Sequence, residues 1–208
     1  MYPIPRTKIC QISVGESHIV FCDDNGTVFT QGNNDFGQLG RFTMETNDPE
    51  FASIPALEGK PMQKIQAGSN FTVLLSIRGI VLTCGSSLYG CLGHGSNEDV
   101  QNPKIIEGIR ALKISLCRSL HLISFSDLIT VTISDIAVGY EHVLALSSDG
   151  DIYSWGRGKT GRLGHGNQDT QSHPMKILTD VTFKLIFAGF NHSFASKFNP
   201  LRIGHSVR

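Results

Sequence analysis

Four constellations in the 208-residue chain could carry chemistry or recognition. Gly156-Arg-Gly158-Lys-Thr-Gly161 spells G-x-G-x-x-G directly after a β-prone run, the pattern that cradles a dinucleotide pyrophosphate. That site needs a helix next, and Arg162-Leu-Gly-His-Gly follows instead. The sister stretches G-N-N-D-F-G and G-S-S-L-Y-G keep its register without the middle glycine, so the loop reads as a repeat turn. His18, His121, His142 and His192 recur at one relative position and raise a metal reading. Ligands of one ion must converge within about 2 Å of it, whereas these residues fall in separate repeat units, so buried imidazoles bonded to backbone are expected. Cys84 and Cys91 flank one loop with no specific base placed beside either, and a catalytic thiol is not expected. The basic set Arg157, Lys159, Arg162 and His165 shares one loop, where it could meet an acidic protein patch or stand as a solvated loop. No G-x-S-x-G elbow or H-E-x-x-H helix occurs.

The elements that position these residues are repeats. Gly15, Gly68, Gly139 and Gly189 open similar phrases at steps of 53, 71 and 50 residues. In each of the first three units a hairpin glycine lies 11 residues on (Gly26, Gly79, Gly150), and a loop glycine lies 6 further (Gly32, Gly85, Gly156). The histidines His18, His142 and His192 stand three residues after their glycines, and Trp155 is the only tryptophan. The Asp149-Gly150 step predicts a tight hairpin whose two central residues both take positive φ.

Short β-prone runs are expected at Ile9–Val14, Gln63–Ala67, Thr132–Val138 and Phe183–Ala188. Others follow at His18–Cys22, Thr72–Ser76 and Val143–Leu146, then at Val28–Gln31, Val81–Cys84 and Ile152–Trp155. The chain reads as an all-β single repeat domain, 1–208, of propeller blades about 50 residues long in an incomplete ring of four to five repeats. Full units are expected over 6–58, 59–110 and 135–182, and residues 183–208 start a further unit with an irregular tail. Within the 71-residue step a degenerate or truncated unit spans 111–134, with Arg118 at the glycine position. Either a blade body is missing there or Ser119–Ser134 is an irregular connector.

Eighteen basic residues balance eighteen acidic ones, which gives no electrostatic case for nucleic acid or a membrane surface. The N-terminus lacks the apolar run of a signal peptide, and five cysteines without a C-x-x-C pair read as reduced thiols. An intracellular protein of the cytoplasm or nucleus is expected.

The combination of G-x-x-H, an S-D-G hairpin and W-G-x-G-x-x-G-x-L-G-H-G resembles the repeat of the regulator of chromosome condensation family. The resemblance covers roughly residues 6–196 and is best at 139–166. It implies a seven-bladed propeller of four-stranded blades whose two loop faces bind macromolecules. Four or five repeats then imply a fragment or regulatory domain of a larger protein. The function implied is a non-enzymatic protein-interaction module without a cofactor. The alternatives are a guanine-nucleotide exchange factor for a small GTPase, as in the family's founding member, and the propeller of a NIMA-related kinase or a ubiquitin ligase. The expected partner is a protein, such as a small GTPase or an attached kinase domain.

Overall fold

The computed structural model describes residues 8–107, 109 and 131–197. Among the described residues the strands are antiparallel, and single 3₁₀ turns lie at Pro55–Leu57, Leu88–Gly90 and Lys159–Gly161. Sheet one holds β1 (Ile9–Val14), β2 (His18–Asp23), β3 (Val28–Asn33) and β4 (Asn47–Ser53). Sheet two holds β5 (Met62–Ala67), β6 (Phe71–Ser76), β7 (Val81–Gly85) and β8 (Val100–Ile105). Sheet three holds β9 (Ile133–Val138), β10 (His142–Ser147), β11 (Ile152–Gly156) and β12 (Gln171–Lys176). Sheet four, among the described residues, is β13 (Leu185–Ala188) paired with β14 (Ser193–Ser196). In sheets one to three the strands pair in chain order, so each sheet is a meander.

Successive sheets face each other through three apolar layers. Val20, Cys22, Val28, Ile65 and Leu74 fill the first, and Phe71, Leu92, Ile136, Val143 and Trp155 belong to the second. Ala137, Leu144, Leu146, Ile152 and Ile186 fill the third. No sheet buries both faces alone, which explains why β6 and β10 are apolar along almost their whole length rather than alternating. The layered, all-β propeller reading therefore holds.

Backbone stitches repeat at the turns between the first two strands of each sheet. Glu16 N donates to Ser69 O (3.0 Å), Ser69 N to Tyr140 O (2.9 Å) and Tyr140 N to Phe190 O (3.3 Å). Sheets two and three are thus direct neighbours, and among the described residues no sheet lies between them. Arg118, His121 and the degenerate unit as far as residue 130 lie outside the described residues.

Two local expectations are corrected. Gly150 takes φ +87°, but Asp149 is not in the positive-φ region. The turn spans Ser147–Gly150 and closes through Gly150 N to Ser147 O (3.0 Å), with Ser147 N to Asp151 O (2.8 Å) outside it. This is a type I turn followed by a left-handed glycine, and the Ser147 hydroxyl fixes it by accepting from Asp151 N at 3.0 Å. Asp23 and Ser76 do the same for Thr27 N and Ile80 N. The fourth strands β4, β8 and β12 were not among the expected runs. Each carries a proline (Pro49, Pro103, Pro174) and ends its sheet; β4 and β8 are mostly exposed, whereas β12 is half-buried with Pro174 buried, as an outer-edge strand permits.

Candidate protein-binding face

Two of the repeat histidines, His18 and His142, are buried and hold sheets together, through side-chain hydroxyls rather than the backbone groups expected, whereas His192 is exposed. His18 Nε2 lies 3.0 Å from Thr72 Oγ1 on the next sheet, and that hydroxyl donates to Gln38 O at 2.7 Å. His142 Nε2 lies 2.9 Å from Ser193 Oγ, which donates to Arg162 O at 2.8 Å. Each hydroxyl spends its proton on a carbonyl, so each imidazole must donate from Nε2. Nδ1 of both rings is buried without a hydrogen-bond partner, consistent with a neutral ring. Burial pushes both histidines down to about 4.

The glycine three residues earlier makes room for the ring. A Cβ on Gly139 would lie 2.1 Å from His142 Cε1, although Gly139 has no positive φ. Gly15 and Gly68 stand in the same relation to His18 and Phe71. Gly139→Ala is therefore expected to cost about 2–3 kcal/mol in a thermal melt, because the ring is pinned by Ser193. Gly166→Ala, at φ +76° in open space, costs about 1 kcal/mol.

A second relay closes each loop. The hydroxyls of Thr30, Thr83 and Ser154 donate to the carbonyls of Leu39, Leu92 and Leu163. In return each accepts from Arg41 Nε (3.1 Å), His94 Nε2 (3.0 Å) or His165 Nε2 (2.9 Å). His94 is pushed down to about 4 and His165 is lowered, in both cases chiefly by burial. The G-x-G-x-x-G amides are likewise used internally. Arg157 N donates to Glu141 O (2.8 Å), Gly158 N to Thr170 Oγ1 (3.3 Å) and Gly161 N to Gly158 O (3.0 Å).

The basic set does not form a common patch. Arg162 is buried, its Nε donating to Lys159 O (2.8 Å). Arg157 is taken up by Glu141 (2.6 Å) and by the ring of Tyr89, 4.5 Å below its guanidinium carbon. Lys159 is the exposed member, and His165 is half-buried. Buried thiols complete this inert interior, with Cys84 pushed up to about 12 by desolvation. Among the described residues no three metal-ligating side chains gather.

What the same loops expose is apolar. Phe36 and Tyr89 occupy equivalent places before Gly37 and Gly90, and Leu88 is 58% exposed. Tyr89 stands at φ +58°, a conformation that costs a tyrosine about 1 kcal/mol or more, and Arg157 braces its ring. Beside it Tyr140 stacks on Phe190 at 4.2 Å and donates to Glu16 Oε2 at 2.7 Å, joining sheets one, three and four. Between the second and third sheets lies a cleft of about 790 Å³, walled by Phe36, Leu88 and Tyr89 and edged by Asp99 and Glu141. Repeat register places Phe36, Tyr89 and Thr160 alike before Gly37, Gly90 and Gly161, but it does not show that Phe36 and Tyr89 meet around one cleft. No described helix is long and apolar enough to cross a membrane.

Comparisons with known proteins agree with this architecture. The chain matches the Regulator of chromosome condensation (RCC1) repeat over residues 25–75, 78–118 and 149–196, and a second form of that repeat over 9–38 and 133–162. The 25–75 match runs from β3 to β6, so that sequence repeat bridges two sheets. The chain is 30% identical over 188 residues to the serine/threonine-protein kinase Nek8 of Danio rerio, covering 88% of this chain and 24% of that protein. It is 31% identical over 193 residues to the human E3 ubiquitin-protein ligase HERC2, covering 90% of this chain and 4% of that protein. Prp20p from Saccharomyces cerevisiae, solved together with its binding properties to Gsp1p and histones, superimposes with a TM-score of 0.67 at 28% identity. That match covers 93% of this chain and 44% of Prp20p. The chain thus spans a quarter or less of Nek8 and HERC2.

Proposed function

Because the chain belongs to the regulator of chromosome condensation (RCC1) repeat family, we propose that it works as a non-enzymatic protein-binding module through the loop face that carries Phe36, Leu88, Tyr89 and Phe190. One observation carries this reading: Phe36, Leu88 and Tyr89 stand exposed around a cleft on loops held by the sheets, while most polar groups of those loops are paired internally. Rigid loops presenting such anchors are the usual form of a protein-binding hot spot. Asp99 and the Glu141–Arg157 ion pair edge the cleft, so the apolar anchors carry the recognition and the rim adds a mixed polar border.

Leu88→Asp with Tyr89→Ala is expected to lower partner recovery at least tenfold in affinity purification, with an unchanged melting temperature. Recovery equal to wild type contradicts the reading. The likeness to Prp20p favours a second reading, nucleotide exchange on a small GTPase. Addition of the protein would then speed release of labelled GDP, and no acceleration across a panel of small GTPases removes it.

A further inference from the structure

Where the first two units set an aromatic residue before the loop glycine, Phe36 before Gly37 and Tyr89 before Gly90, the third sets Thr160 before Gly161. Thr160 is exposed and stands at φ +69°. A β-branched residue is strained there, because its Cβ crowds the following carbonyl. The side chain gives the fold little in return. Its hydroxyl donates to Lys159 O, the carbonyl of the preceding residue, and lies 3.5 Å from Asn191 O. Backbone strain of this kind collects at functional positions.

Arg157 stands three residues before this hydroxyl, and no other serine or threonine of the chain has an arginine at that distance. Such an acceptor suits a basophilic protein kinase, whose carboxylates take the guanidinium in paired hydrogen bonds. Lys159 adds an exposed cation directly beside it. The surroundings also suit the product. Arg162 Nε donates to the same Lys159 carbonyl at 2.8 Å, so one oxygen ties the Thr160 hydroxyl to a buried guanidinium. Nη1 of Arg162 has no hydrogen-bond partner among the described residues, and Glu141 Oε2, 4.0 Å away, already holds Arg157 at 2.6 Å. Thr160, Arg162 and His192 border one cleft of about 320 Å³, which leaves room for phosphoryl oxygens.

We infer that Thr160 is a phosphorylation site for a basophilic serine/threonine kinase, gated by the Glu141–Arg157 ion pair. In the step, Thr160 Oγ1 attacks the γ-phosphorus of ATP, the bond from that phosphorus to ADP breaks, and the hydroxyl proton passes to the kinase's base. The kinase must first draw Arg157 away from Glu141 and from the ring of Tyr89. Release of Thr160 from the left-handed region offsets part of that opening. The product carries a charge of about −1.5 to −2 at pH 7, next to the turn that holds Phe190 and Asn191. The inference rests on the loop from Arg157 to Arg162 and does not depend on reading the loop face as a binding surface.

The full-length chain and a synthetic peptide of residues 153–165 are each incubated with γ-labelled ATP. The kinase probe is the catalytic subunit of cyclic-AMP-dependent protein kinase. Label is expected in both, mapped to Thr160 by mass spectrometry and absent from Thr160→Val. Arg157→Ala slows labelling at least tenfold in both. Glu141→Gln frees Arg157 and speeds labelling of the folded chain at least threefold, toward the rate of the peptide, which lacks residue 141. Where that variant melts below wild type, Tyr89→Leu removes the other contact of Arg157 and reads the same gate. A folded chain that takes no label at Thr160 overturns the inference, whether or not the peptide is labelled. A folded gate variant labelled at the wild-type rate overturns the gating role of the ion pair.

Discussion

Acidifying the protein from pH 7 to pH 4.5 is expected to remove about 2 kcal/mol of stability for each of two histidines. His18 and His142 titrate at about 4 in the fold against about 6.5 in an unfolded chain. Between those values the unfolded state binds a proton that the folded state refuses. Stability is therefore complete above pH 6.5 and falls as pH drops toward 4. His94 adds a smaller share, because its ring is only partly buried. The cause is the relay geometry: Nε2–H is committed to a hydroxyl, and Nδ1 has no acceptor within reach. Urea titrations across this pH range read the slope directly. His18→Phe with His142→Phe, which copies position 71, should flatten it, even though the variant begins less stable at pH 7.

Trp155→Ala is expected to cost about 4–5 kcal/mol, a large part of the roughly 5–15 kcal/mol that holds a domain folded. The side chain is fully buried between sheets two and three, and its indole is the donor to Cys91 O. Trp155→Phe separates the two contributions. It keeps most of the packing but strands a buried carbonyl, at about 1–3 kcal/mol. Urea midpoints for the two variants should therefore fall in the order wild type, Phe, Ala. Equal midpoints for Phe and wild type would remove the hydrogen bond from the account.

The sequence made the inner architecture legible, since the same physical demand recurs at a constant spacing. Gly139 and His142 repeat together because one must yield space to the other, and Gly150 repeats because the turn needs a left-handed residue. Four things were hidden. β4, β8 and β12 carry a proline each and are the edge strands of their sheets, so neither alternation nor β-branched enrichment marks them. The partners of the histidines lie 51 and 54 residues away on the next sheet, and a single hydroxyl there looks like any other serine or threonine. The solitary tryptophan gives no sign in one dimension that its indole meets Cys91 O of the preceding sheet's loop. The loop set Arg157, Lys159, Arg162 and His165 looked basic in one dimension. In three, Glu141, Tyr89 and the loop carbonyls absorb most of it.

The division between an inert, internally satisfied scaffold and a binding loop face is tested most directly by site-specific photo-crosslinking in cells. A photoreactive phenylalanine replaces Tyr89 in one protein and Leu178, which is 89% exposed away from the cleft, in another. The account predicts a discrete protein adduct from position 89 that is absent from position 178. Adducts from position 178 with none from position 89 would contradict it.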